Sequence, residues 1–247
     1  PLLLLHGYPQ TGYMWHKIAP ALASQFNVVI PDLRGYGDSD KPETDANHSP
    51  YSKRAMAADM MAVMTALGHD HFAVAGHDRG GRVAHRLARD YPDAVTHLAV
   101  LDIVPTEAMY GTTDKAFATA YYHWFFLIQP APFPETLIGQ DPAFFLHHKT
   151  GHWGRTKGAI TDQAFAEYLR CFSNPATIHA SCEDYRAAAS IDLDHDAADR
   201  GEKLAMPVLA LWGDIGFVGK HYDVIDEWQN YASHVDGQAI NSGHFLA

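Results

Sequence analysis

The chain has 247 residues, 47% of them apolar, and a formal net charge of −11. That length suits one sizeable core with room for a subdomain. The acidic balance, with no Lys/Arg-rich run, excludes nucleic acid as a partner. The apolar stretches are strand-sized, which excludes a membrane span, and no signal-peptide pattern opens the sequence. Cys171 and Cys182 show no metal-type pairing and no disulfide framework, so a reducing, cytoplasmic setting is expected, with no metal and no cofactor.

Pro1–Leu5 is a continuous apolar run ending at His6-Gly7, and it reads as a buried strand feeding a loop. Phe26–Ile30 is a second such strand, followed by turn-rich Arg34-Gly35-Tyr36-Gly37. Ser52–Leu67 carries Met56, Met60, Val63, Met64 and Leu67 at helical spacing, with Gly68 as the stop. Phe72–Ala75 is a third strand, and Gly76-His77-Asp78-Arg79-Gly80-Gly81 turns from it into a helix reaching Asp90. Leu98–Leu101 and Pro207–Trp212 are the fourth and fifth strands. Strands alternating with helices predict an α/β fold with a mostly parallel, doubly wound sheet. From Thr106 to Asp192 aromatic helices replace the alternation. Residues 1–105 and 193–247 are therefore expected to form the core domain, and 106–192 a helical cap. The first strand is of a kind that two others normally precede, and a closing helix normally follows His244. A trimmed piece of a longer protein is therefore expected.

Gly76-His77-Asp78-Arg79-Gly80 has the form Gly-x-nucleophile-x-Gly between a strand and a helix, the elbow of an α/β-hydrolase fold. The bland alternative is that Asp78 only caps the helix. A carboxylate nucleophile suits displacement at saturated carbon, giving an alkyl ester that water must then cleave. That second step needs a general base and an oxyanion hole. His244, in Ser242-Gly243-His244-Phe245, has the chain position of the base. The orienting acid has two candidates, Asp102 after the fourth strand and Asp214 in Trp212-Gly213-Asp214. In many such enzymes the later acid stands three residues past the Trp-Gly glycine, where this chain has Gly216, so Asp102 is favoured. His6-Gly7-Tyr8-Pro9 can bring the backbone N–H of Tyr8 opposite that of Arg79 as the two oxyanion donors.

These residues, with Arg82, Tyr122-His123-Trp124 and Cys182-Glu183-Asp184-Tyr185-Arg186, resemble the fluoroacetate (haloacetate) dehalogenases over nearly the whole chain. The resemblance implies conversion of a small haloacid to glycolate and halide. It assigns the substrate carboxylate to Arg79 and Arg82, the halide to His123, Trp124 and Tyr185, and the acid to Asp102, and it implies a homodimer. Many family members carry Phe at the position of Tyr8. Arg79 and Arg82 stand three apart at a helix start, where two cations oppose the dipole and call for an anion. The plainer reading is a solvated basic stripe continued by Arg86 and Arg89. Likewise, Tyr121, Tyr122, Trp124, Phe125 and Phe126 read equally as an aromatic core, and Trp153 is a further pocket candidate. Two rivals stand beside this reading. An epoxide hydrolase would use the same Asp78 with Tyr185 and Tyr121 or Tyr122 as proton donors. A non-catalytic receptor on the same fold would bind a small ligand without turnover.

Overall fold

The computed structural model describes residues 1–154 and 156–247, without the side chain of Trp153, so the expectation for Trp153 lies outside the described residues. In chain order the elements are β1 (Leu2–Leu5), α1 (Ala19–Leu22), β2 (Val28–Val29), α2 (Lys53–Ala66), β3 (Phe72–His77), α3 (Arg79–Asp90) and β4 (Val95–Leu101). A run of helices follows: α4 (Thr106–Gly111), α5 (Lys115–Ala120), α6 (Tyr122–Phe126), α7 (Phe133–Gln140), α8 (Pro142–Gly154), α9 (Asp162–Phe172), α10 (Pro175–Ala188) and α11 (Ile191–Ala198). The chain closes with β5 (Val208–Gly213), α12 (Val218–His221), α13 (Val224–Gln229) and β6 (Val235–Ile240).

The strands form one sheet in the order β2-β1-β3-β4-β5-β6, and every adjacent pair is parallel. Uninterrupted apolar strands such as Leu2-Leu3-Leu4-Leu5 require cover on both faces. Met56, Met60 and Met64 of α2 lie with Leu3, Leu5, Val74 and Leu87 in one cluster. Leu4, Leu101, Trp15, Leu146 and Tyr168 form a second. From β1 the chain steps outward to β2 and then back past β1 to β3. The order therefore reverses between β1 and β3, whose register pairs Leu5 with Gly76. In open parallel sheets the crevice at such a switch point, beyond the strand ends, is where ligands bind. His6-Gly7-Tyr8 and Asp78 emerge there together.

Two expectations are refined. The second strand shortens to Val28–Val29. A sixth strand, β6, is added at the edge, where its Val-Asp-Gly-Gln-Ala-Ile sequence is mostly exposed and offers no apolar run to read. Among the described residues the elements between β4 and β5 are all helices, with one isolated bridge from Leu204 to Ala232. The expected boundary at 192–193 falls inside α11, whose Asp192 pairs with Lys53 of α2 and whose Asp196 pairs with Arg86 of α3. No helix among the described residues is long and apolar enough to cross a membrane.

Candidate active site

Asp78 sits at the junction of β3 and α3 with φ 47° and ψ −116°, a backbone conformation that is costly for a residue with a Cβ. It heads the helix, yet its side chain makes no capping bond, so the bland reading of Asp78 as a helix cap does not hold. The bend needs bare backbone around it. A Cβ on Gly80 would lie 2.4 Å from the carbonyl oxygens of Leu5 and His6, and one on Gly7 would lie 2.7 Å from the Asp78 Cβ. This close approach carries the Tyr8 N–H to Asp78, where it donates to Oδ2 at 2.9 Å. The N–H of Arg79, in the first turn of α3, has no acceptor within its own helix.

The Asp78 carboxyl is 4% exposed. Burial alone would raise its pKa, but the charges of His244, His77, Arg82 and Arg79 outweigh it and hold the group below the usual carboxylate range. It is therefore an anion at neutral pH. Five of the seventeen histidines (His6, His77, His85, His123 and His244) are buried, and all but His85 belong to this region. His244 Nδ1 lies 2.6 Å from Asp102 Oδ2. A carboxylate only accepts, so the proton is on Nδ1 and Nε2 carries the lone pair that a base needs. Burial lowers the His244 pKa, and the hydrogen bond and charge of Asp102, followed by the charge of Asp78, raise it above the ordinary histidine value.

Asp102 has φ 53° and accepts from the Gly213 N–H through Oδ1 at 3.0 Å. Asp214 is exposed, and its side chain accepts from the Ser242 N–H, at 3.2 Å, as a turn residue does. A Cβ on Gly216 would lie 3.4 Å from Asp102 Oδ1. The Asp102 carboxylate thus occupies the space that an acid at position 216 would otherwise fill. His77, the residue before Asp78, donates Nε2–H to the His244 carbonyl at 2.7 Å. Burial pushes its pKa down to about 4, so the ring stays neutral and holds the His244 backbone.

Arg79 and Arg82 are 0% and 4% exposed, which removes the solvated-stripe reading for both. Arg86 is engaged too, by Asp90, Asp196 and Asp199. The anion that offsets Arg79 is Asp184 of α10, which accepts from Nε at 2.9 Å and Nη2 at 2.7 Å. Arg82 donates to the Val104 carbonyl at 3.1 Å and Thr106 Oγ1 at 2.9 Å, and its guanidinium lies 4.7 Å from the Trp124 ring.

His123, Trp124 and Tyr185 are all buried, the first two on α6 and the third on α10. Ring centroids lie 5.5 Å apart for His123 and Tyr185, and 6.3 Å for Trp124 and Tyr185. The Tyr8 ring joins them, 5.3 Å from Tyr185 and 6.2 Å from His123. Trp124 Nε1–H, Tyr185 O–H and Tyr8 O–H are buried with no acceptor among the described residues. Such groups cost roughly 1–3 kcal/mol each when left unsatisfied, so a cluster of them points to a ligand. Burial and the Asp78 charge keep the Tyr185 phenol protonated. Burial keeps His123 neutral. Tyr122 is exposed, with Lys149 Nζ 3.6 Å from its ring, whereas Tyr121 is buried 5.5 Å from His123. The plain core reading does hold for Phe125 and Phe126, which pack partly buried against the main core cluster.

Sequence reasoning does not assign Asp184, Lys53, Lys149 or His77 to the site. It takes the substrate as the anion that offsets two helix-start arginines. Nothing in local spacing shows that a residue about a hundred positions later supplies that charge. His77 lies inside the elbow motif, where its position is the only signal.

The α/β-hydrolase-fold family model matches residues 1–247. A fluoroacetate dehalogenase from Burkholderia sp. is 44% identical over 99% of this chain and 81% of its own. A soluble epoxide hydrolase from Corynebacterium sp. (strain C12) is 37% identical over 100% of this chain and 84% of its own. The crystal structure of ALR0039 from Nostoc sp. PCC 7120 superposes with a TM-score of 0.99 at 60% identity, covering 100% of this chain and 84% of that one. The chain belongs to the α/β-hydrolase family, in the branch that holds this dehalogenase and this epoxide hydrolase.

Proposed function

We propose that the protein hydrolyses the carbon–halogen bond of a small 2-haloacid such as fluoroacetate or chloroacetate. In the first step Asp78 Oδ1 attacks the α-carbon, the carbon–halogen bond breaks, and the halide leaves with its electron pair toward His123, Trp124 and Tyr185. Three donors to a developing anion, at roughly 1.5–3 kcal/mol each, lower that barrier by about 4–9 kcal/mol if fully realised in the transition state. In the second step His244 Nε2, oriented by Asp102, takes a proton from water as its oxygen attacks the Asp78 carboxyl carbon. The N–H groups of Tyr8 and Arg79 hold the oxyanion. Collapse expels the glycolate oxygen, which regains the proton from His244, and a second proton goes to solvent as the Asp78 carboxylate re-forms.

Esterification also removes the Asp78 charge, one of the causes that raise the His244 pKa, so the histidine is neutral over a wider pH range when water must be activated. The single observation that carries the haloacid reading is Arg82, buried beside Asp78 with no carboxylate partner among the described residues. Asp78 offsets this buried cation only until it is esterified, and a substrate carboxylate then supplies the anion that a neutral epoxide does not. The reading also includes a homodimer and a reducing cytoplasm. Cys171 and Cys182 are buried and unbridged, and Phe133, Leu137 and Phe144 on α7 and α8 are exposed apolar side chains open to a second copy. Incubation with fluoroacetate, chloroacetate and styrene oxide, measuring halide and diol, tests the function. Halide release supports it, and diol without halide overturns it in favour of the epoxide reading.

A further inference from the structure

The two arginines of the elbow helix look equivalent in sequence but not in the fold. Arg79 meets Asp184 through two parallel bonds, and its Nη2 also donates to the Asp184 carbonyl at 2.8 Å. Behind that carboxylate, Tyr36 O–H donates to Oδ2 at 2.6 Å and Lys53 Nζ pairs with Oδ1. Lys53 in turn meets Asp192, with Nζ 3.5 Å from Oδ2 and its backbone N–H 2.8 Å from Oδ1. Asp184 and Arg79 are both 0% exposed, and Lys53 and Asp192 are buried. Two cations and two anions close on one another, so the group has no formal charge left for a ligand. Of Arg79, only Nη1 has no acceptor among the described residues.

Arg82 is the opposite case. Its acceptors are a carbonyl, a hydroxyl and the Met109 sulfur, none of them charged, and its Nε has no acceptor among the described residues. Burial first, and then the nearby Arg79 charge, disfavour its cation, while Asp78 favours it. An arriving carboxylate would find at Arg82 a cation hydrogen-bonded to no carboxylate, whose anionic neighbour Asp78 is consumed on esterification, and at Arg79 a fixed, charge-compensated donor.

Resting on the haloacid reading, we propose that Arg82 alone supplies the charge that selects an anionic substrate, and that Asp184, backed by Lys53 and Tyr36, is a positioning residue that neutralises Arg79 and aims its Nη1. Arg79 then selects by geometry and Arg82 by charge.

The test compares kcat/KM for chloroacetate with that for the uncharged chloroacetamide. Arg82→Gln is expected to lower the acetate-over-acetamide ratio about 30-fold or more, as for one partner removed from a buried charge pair. The double variant Arg79→Gln/Asp184→Asn removes both members of a neutral pair, and its ratio is expected to fall less than about 5-fold. A larger fall in the double variant, or an unchanged ratio in Arg82→Gln, overturns the proposal. If the polar double variant does not fold, Arg79→Met/Asp184→Leu carries the same comparison. The ratio is also read from binding of glycolate against glycolamide by calorimetry. A wild-type enzyme that releases no halide therefore fails the functional reading, while the binding ratios still decide this one.

Discussion

Tyr185→Phe separates stability from chemistry, because the two should move in opposite directions. The hydroxyl is fully buried and has no acceptor among the described residues, so the folded protein carries an unsatisfied donor. Replacing it with a C–H keeps the ring against Arg79, 4.1 Å from the guanidinium, and against Tyr8 and His123. Relief of the unsatisfied group should stabilise the fold by about 1 kcal/mol, at the lower end of the usual cost. For a chain of this length that raises Tm by roughly 2–4 °C. The departing halide loses one donor of about 1.5–3 kcal/mol, which slows carbon–halogen cleavage by about 10- to 150-fold. Fluoride, the most strongly hydrated halide, should suffer most and bromide least. Calorimetry gives Tm, and single-turnover halide release from fluoroacetate and bromoacetate gives the rates. A variant that melts lower, or one that cleaves fluoroacetate as fast as the parent, refutes the reasoning that this hydroxyl is held for the leaving group.

His244→Asn should stop the second step alone, so intact-protein mass spectrometry after incubation with chloroacetate should show Asp78 carrying a carboxymethyl ester. An unmodified, folded variant removes the covalent route. Asp102→Asn is expected to lower turnover by about 10⁴-fold, the scale seen when a triad acid is lost. Adding Gly216→Asp to Asp102→Gly, which clears the carboxylate's space at a positive-φ position, should recover at least about tenfold over Asp102→Gly alone, since a Cβ at 216 lies 3.4 Å from the original Asp102 Oδ1. No recovery would mean that the space beside His244 does not admit a relocated acid. The pH profile follows from the sign of the His244 shift. Asp102 and Asp78 stabilise its protonated form, so the base is lost as pH falls through a pKa above the ordinary value. In the free enzyme the His244 imidazole should therefore titrate above pH 6.5 when followed by NMR, and a midpoint well below it contradicts the assigned geometry.

Much of this arrangement is local in the chain, and so the sequence by itself determines it. The elbow is written in five consecutive residues, because a strained turn needs glycine on both sides of the side chain it exposes. The buried strands β1 and β3 announce themselves as apolar runs, and Ser52 and Gly68 bracket α2 by capping chemistry that depends only on neighbours. The choice of Asp102 over Asp214 is also accessible from the residues, since Gly216 cannot carry a carboxylate. Tertiary structure alone decides what depends on distant charge and on edges. Asp184 reaches Arg79 across 105 positions, and only that contact distinguishes one arginine from the other. The edge strand β6 owes its form to backbone pairing with β5 rather than to side-chain burial, so its polar sequence carries no periodic signal. A chain can encode a turn in its own residues. The charge a buried cation meets is set by whichever element the fold packs against it.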